Sequence, residues 1–242
     1  MRIPRFYCPD LRQQSELITL PAALYHHAIQ VLRLKAGATI SLFDGQGSEF
    51  RAELHSVDKR SASALLTDKI TTQTESPLTL TLFQGISRGD RMDYTLQKAV
   101  ELGVQKIVPV ITARCNVQLS GARADKKTAH WQGVVISACE QSGRIFLPEL
   151  AAIQHYETVL TEHEDGMRLI LDPTSTQGFN ALTQQSKVSL LIGPEGGFDE
   201  NELQQATASG FQAIRFGPRI LRTETAAVAA LAALQTLWGD LG

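Results

Sequence analysis

Residues 190–227 read LLIGPEGGFDENELQQATASGFQAIRFGPRILRTETAA. Two glycine-proline loops organise this stretch. Gly193-Pro194-Glu195-Gly196-Gly197 follows the apolar run Val188 to Ile192, and Gly217-Pro218-Arg219-Ile220-Leu221-Arg222-Thr223-Glu224-Thr225 follows the run Phe211 to Phe216. Each loop leaves an expected strand and enters an expected helix. In parallel α/β sheets that is where ligands sit, at the carboxyl ends of strands. Two such loops in succession point to one pocket built from both.

Working outward, the grammar on either side differs. From Leu78 onward, strands alternate with helices, which argues for a parallel sheet. Expected strands are Leu78 to Gln84, Ile107 to Ile111, Leu169 to Leu171, Val188 to Ile192 and Ala213 to Phe216. Expected helices are Asp90 to Leu102, ended by Gly103, and Asp125 to Gln141. Asp199 followed three residues later by Glu202 is a capping-box pattern. A last helix from Thr223 to Trp238 is apolar almost all round, so it is either a core helix or covered by a partner.

Upstream the pattern is β. Thr39 to Phe43, Phe50 to Leu54 and Ser61 to Leu66 are short runs joined by Asp/Gly turns, as in a small antiparallel barrel. Pro21 to Leu34 has helical spacing and carries His26 and His27. Adjacent helical residues do not share a face, so no metal site is expected there. The polar run Thr71 to Pro77 is the expected linker. The domains are therefore 1–72 and 73–242.

Bulk properties exclude several classes. The chain has 242 residues, a formal net charge of −2 and three cysteines. Cys8, Cys115 and Cys139 are far apart and lack metal-ligand spacing, so reduced structural thiols are expected. There is no apolar run of membrane-spanning length and no secretory signal pattern, which suggests a cytoplasmic location. The segment 84–127 and the first 35 residues are locally basic, as a phosphate-tracking face would be.

The loops narrow the ligand. Neither a GxxxxGK[ST] nor a GxGxxG pattern occurs. GPEGG carries a carboxylate where phosphate would be repelled. The loop suits a ligand read by backbone groups and neutral or cationic at that point, and S-adenosylmethionine fits this description.

At these residues the chain resembles the RsmE family, small-subunit ribosomal RNA uridine-N3 methyltransferases of the SPOUT superfamily. The resemblance rests on Ile192 to Phe198 and Gly217 to Ala226. It extends to Gln97 to Val104, Glu140-Gln141-Ser142-Gly143-Arg144 and Arg2 to Tyr7, so it spans nearly the whole chain. One departure is Ser87-Arg88-Gly89-Asp90-Arg91, where the family usually has a Lys. The resemblance implies a PUA-like β-barrel followed by an α/β trefoil-knot methyltransferase domain, a homodimer, and a uridine in the decoding region of 16S rRNA as target. Knots are otherwise close to absent from proteins.

It implies a methyl-donor site at Leu171, Gly193, Pro194, Gly196, Gly197, Phe216, Gly217, Ile220, Leu221, Arg222 and Thr225. Arg222, Glu195 and Arg144 are the candidate catalytic residues. Glu195 either accepts the uridine proton or holds its loop. Arg2, Arg5, Arg88, Arg91 and Arg123 are the candidate RNA contacts, and no metal is expected. Alternatives are another SPOUT enzyme, such as a tRNA ribose 2′-O-methyltransferase, and a non-catalytic RNA-binding protein.

Overall fold

The computed structural model describes residues 3–11, 16–71, 73–117, 119–162 and 165–242. The chain forms two compact units. One comprises Met1–Glu75 with Cys139–Leu147, the other Ser76–Ala138 with Pro148–Gly242. Expected contact Arg2 lies outside the described residues.

The first unit is a five-stranded sheet. Its strands are β1 (Arg5–Tyr7), β2 (Leu17–Thr19), β3 (Thr39–Phe43), β4 (Glu49–Val57) and β5 (Ala62–Ile70), in the order β1-β3-β4-β5-β2. The runs joined by short turns pair antiparallel, as hairpins must. A strand outside those three runs, β1, pairs parallel with β3. Parallel strands need a long crossover. Here helix α1 (Ala22–Tyr25) and the π-helical turn His26–Val31 lie in that connection. Phe6, Ile18, Leu24, Ile40, Leu42 and Leu54 fill the core beneath it. His26 bonds to Gln30, while His27 stacks edge-on against Phe6 at 5.4 Å. Among the described residues, no cluster of His, Cys, Asp and Glu is arranged to hold a metal.

The second unit is a seven-stranded sheet in which every pairing is parallel. Its elements run β6 (Thr79–Gly85), α2 (Asp90–Glu101), β7 (Lys106–Ile111), α3 (Ala122–Ser142), β8 (Glu149–Leu150), β9 (Gln154–His155), α4 (Tyr156–Thr161), β10 (Met167–Leu171), β11 (Lys187–Ile192), α5 (Glu200–Ala208), β12 (Gln212–Ile214) and α6 (Thr223–Trp238). The spatial order is β12-β10-β11-β6-β7-β8, with β9 also on β7. The central strands are buried along nearly their whole length, their polar residues Thr81, Gln84 and Ser189 included, as expected of a parallel sheet covered on both faces. Leu80, Leu82, Val108, Leu190 and Leu191 are wholly buried or nearly so.

Two features of this order position the site. After β6 the chain moves to β7 on one side, but β11 pairs β6 on the other. The join of β6 and β11 is therefore a topological switch point, where a crevice opens beyond the carboxyl ends. The chain then leaves β12 at the sheet edge and returns to the centre, where α6 packs against α2. Such a return to the sheet centre is the course that a knotted C-terminal segment takes.

The helix α5 begins with the expected capping box. Asp199 Oδ1 accepts from the Glu202 amide and Glu202 Oε2 accepts from the Asp199 amide, at 2.7 and 2.9 Å. Glu202 Oε1 also accepts from the Ala113 amide at 2.8 Å. This buried carboxylate therefore ties the loop after β7 to the start of α5.

Candidate active site

The two glycine-proline loops meet at the switch point. Glycine at position 85, the end of β6, is required because an added Cβ would lie 2.5 Å from the Pro194 nitrogen. Only a residue without a side chain lets the loop after β11 pass this close. The loop then turns on itself, with the Gly197 amide donating to Pro194 O at 2.9 Å. Gly197 has φ +66°, in the left-handed region that favours glycine. Arg114, from the loop after β7, donates to Gly196 O at 3.1 Å.

Between the loops lies a cavity of about 660 Å³. That is within the range of about 300–1,000 Å³ usual for small-molecule sites. It is lined by the ends of β10, β11 and β12 and by the segment 219–224. Of the residues expected to hold the methyl donor, Leu171, Gly193, Pro194, Gly196, Gly197, Phe216, Ile220, Leu221 and Arg222 line it. Gly217 and Thr225 do not. Gly217 instead turns the chain at φ +73°, and Thr225, on the first turn of α6, is exposed.

Five arginines stand around the cavity: Arg91, Arg114, Arg215, Arg219 and Arg222. Against them are Asp172, Glu195, Glu200 and Glu224. Glu195 Oε1 accepts from the Arg88 amide and from Arg91 Nη1, each at 2.9 Å. Burial disfavours its charged form. The amides of Arg88 and of Glu195 itself, with the Arg91 guanidinium, outweigh that and hold the carboxyl below its usual range. The other oxygen, Glu195 Oε2, is buried and has no hydrogen-bond partner among the described residues, and the same holds for Glu224 Oε2. Glu195 and Glu224 both line the cavity and bring negative charge to its wall.

Sequence reading missed part of this lining. Asp172, Pro173 and Thr174 follow β10. Asp172 is buried and accepts from the Thr174 amide and hydroxyl at 2.8 and 2.7 Å, forming an Asx turn. The signal was available, because Asp-Pro closes a strand there and a strand's carboxyl end is where ligands sit. Arg114, Arg215 and Arg219 were also missed as lining residues. Arg219 stands in the second glycine-proline loop, where its place was the available signal, while nothing local distinguishes Arg114 and Arg215 from other surface arginines.

Two candidate residues belong elsewhere. Arg144 is not part of the cavity lining. It lies in the first unit, almost fully buried, and its guanidinium pairs with Glu75, with Nε donating to Oε1 at 3.1 Å. Arg5 is likewise committed. It donates to both Glu49 oxygens, to Cys139 O at 2.8 Å, and to the carbonyls of Glu140, Gly143 and Arg144, each at 3.2 Å. A cation satisfying the last carbonyls of a helix is a capping role. All of its guanidinium N–H groups are thus engaged within the first unit. The stretch Glu140 to Arg144 thus acts as a joint within the first unit. Arg88 and Arg123 are exposed, on the loop before α2 and the first turn of α3.

One unit is an open parallel sheet with a cavity at its switch point and the other a small β-sheet, which together define an α/β ligand-binding domain with an accessory domain. Comparison with known proteins agrees on both parts. A family model described as "RNA methyltransferase domain" matches residues 74–235, and one described as "RNA methyltransferase PUA domain" matches residues 20–67. The chain is 37% identical to Ribosomal RNA small subunit methyltransferase E of Buchnera aphidicola, covering 99% of this chain and 98% of that one. It is 30% identical to the Bacillus subtilis protein of the same name, covering 95% of each. Among solved structures, that of Ribosomal RNA small subunit methyltransferase E from Neisseria gonorrhoeae, bound to S-adenosyl methionine, matches with TM-score 0.91 and 45% identity over 100% of both chains. A Legionella pneumophila structure in complex with the bound cofactor SAM matches with TM-score 0.96 and 38% identity, also over 100% of both. The chain belongs to the ribosomal RNA small subunit methyltransferase E family.

Proposed function

We propose that this chain transfers the methyl group of S-adenosylmethionine to N3 of a uridine in the decoding region of 16S rRNA. The observation that carries the proposal is the cavity itself. It has backbone-rich glycine walls, two carboxylates, Glu195 and Glu224, in its lining, and a rim of arginines. The walls suit an adenine edge read by main-chain groups, the carboxylates suit a cationic ligand, and the rim suits an RNA. When bound, S-adenosylmethionine supplies an electrophilic methyl on a sulfonium.

Leu171, Gly193, Pro194, Gly196, Gly197, Phe216, Ile220 and Leu221 hold the donor in this reading. The reaction forms an N3–carbon bond as a sulfur–carbon bond breaks, and the N3 proton passes to solvent. Arg222 stabilises the negative charge that develops on the uracil oxygens, and the geometry of the two loops supplies the alignment. Glu195 holds its loop and is not the proton acceptor, because the contacts that lower its pKa make it a weak base. Arg88, Arg91 and Arg123 are the phosphate contacts.

We further infer a homodimer formed through α6. Its outer side carries half-buried Val228, Ala229, Ala232 and Ala233, with exposed Leu237 beyond them. No described helix is long and apolar enough to cross a membrane. A bacterial cytoplasm, where rRNA is made, is the site of action in this reading.

The test is incubation of the purified chain with labelled donor and, in parallel, naked 16S rRNA, assembled small subunits and tRNA. The product is then mapped by mass spectrometry. Label at N3 of one decoding-region uridine is expected. Label on a ribose oxygen of tRNA would favour the alternative enzyme, and donor binding without any transfer would refute the activity.

A further inference from the structure

A buried polar relay connects the two loops: Gly193 and Thr223 line the cavity, and Gln84 lies behind them. Gln84, at the end of β6, is wholly buried. Its Nε2 donates to Gly85 O at 3.0 Å and to Thr223 Oγ1 at 2.9 Å. An amide N–H can only donate, so it occupies a lone pair of the threonine hydroxyl. The hydroxyl must then spend its own hydrogen elsewhere. It does so on Gly193 O, at 2.6 Å. The direction of the relay is therefore fixed, from amide to hydroxyl to carbonyl.

The relay joins three elements that are distant in sequence. Gly193 opens the loop after β11, and Thr223 is the first residue of α6. Its neighbours Arg222 and Glu224 both line the cavity. Gln84 sits beneath them on the central strand. Arg222 occupies the N-cap position of α6, but no side-chain hydrogen bond caps that helix end. Side-chain fixation of this turn to the loop therefore comes through Thr223. The close approach of Gly85 to Pro194 shows how little tolerance the junction has.

We propose that Thr223 is a positioning residue for methyl transfer. Oriented by Gln84, its hydroxyl locks the Gly193 carbonyl to the start of α6 and so sets the donor-binding loop against Arg222. The proposal rests on the assignment of the cavity to the methyl donor.

The test compares Thr223→Val, which keeps the shape and loses the hydroxyl, with Thr223→Ser, which restores it. Donor affinity by calorimetry, KM for donor, kcat and RNA binding by filter retention are measured on each full-length chain. Thr223→Val is expected to weaken donor binding about tenfold, raise KM for donor similarly and lower kcat, with RNA affinity unchanged. Thr223→Ser should recover most of the donor affinity. A Thr223→Val chain that binds donor like the wild type overturns the proposal, as does a serine variant no better than the valine one. Equal losses in donor and RNA affinity would also overturn it, because they indicate general damage. If the valine variant does not fold, Gln84→Met removes the orienting donor instead. The same loss in donor affinity is then expected, and its absence counts against the relay. Wild-type measurements separate the two claims. A wild-type chain that binds no donor refutes the cavity assignment and the relay's role with it. Donor binding without transfer to rRNA refutes only the activity.

Discussion

Glu195→Gln separates two physical roles for one carboxylate, and the structure sets the size of each. Glu195 Oε1 accepts from the Arg88 amide and from Arg91 Nη1. Glutamine keeps an acceptor oxygen at that position and loses the charge. The Arg91 side chain is 45% exposed and that of Glu195 19%, so solvent screens the ion pair to about 0.2–1 kcal/mol. Weakening the hydrogen bond from the Arg88 amide adds about 0.5–1.5 kcal/mol. If Glu195 only holds its loop, the total loss is about 0.7–2.5 kcal/mol, or roughly three- to seventyfold in donor affinity. Turnover at saturating donor and RNA should then change little. If Glu195 were the general base, turnover would fall by about 10²–10⁴ while donor affinity stayed near normal. Single-turnover transfer at saturating donor, beside calorimetric donor binding, distinguishes the outcomes. A hundredfold fall in the chemical step with intact donor binding would refute the loop-holding assignment. The pH dependence gives a second check. Because the folded-state pKa of Glu195 is lowered, its contribution is present above the unfolded value of about 4.3. It is lost as pH falls through the lowered folded value. Donor affinity of the glutamine variant should lack that acid limb.

Four further outcomes follow from other parts of the structure. Arg222→Ala should reduce methyl transfer to rRNA far more than donor binding, and equal losses in the two assays would reduce Arg222 to a wall of the cavity. Gly85→Ala forces a methyl group against the Pro194 nitrogen, 2.5 Å from its Cβ position. It should lower stability by about 1–3 kcal/mol and abolish donor protection in thermal melts. Arg144→Met leaves Glu75 without its partner, a loss of up to about 3–5 kcal/mol for a fully buried pair, discounted here because Glu75 is 21% exposed. It should destabilise the chain in denaturant while leaving donor affinity intact below the transition. Burial raises the thiol pKa of Cys8 to about 11 and that of Cys139 to about 12. Alkylation of the native chain at pH 8 followed by peptide mass spectrometry should therefore modify Cys115 alone, the half-buried one.

Much of this protein is legible in the order of its residues. Apolar runs ended by Gly-Pro, alternating with amphipathic segments, are a local signal of a parallel sheet. The helix Thr223–Trp238 falls where the sequence places it. The capping box at Asp199 is equally local, because both partners lie within one turn. The short elements β8, β9 and α4 escape such reading. They are two to six residues long, too short to show a period, and tertiary contacts hold them in place. The same limit hides the parallel pairing of β1, which depends on where a crossover returns the chain.

The two loops were decided by the sequence in composition and in place. Their glycines, their lack of Lys and Ser, and their position after apolar runs already argue for a ligand read by backbone groups. Only the tertiary structure decided which charges face that ligand. Glu195 and Arg91 are far apart in sequence yet share a hydrogen bond. Arg144, in a stretch as distinctive as the loops themselves, is spent on Glu75. Whether an arginine recognises RNA or closes a helix end depends on which long-range partner reaches it first, and no local pattern encodes that distance. The relay from Gln84 through Thr223 to Gly193 shows the same limit, because three unremarkable residues become one device only when the chain returns from the sheet edge to its centre.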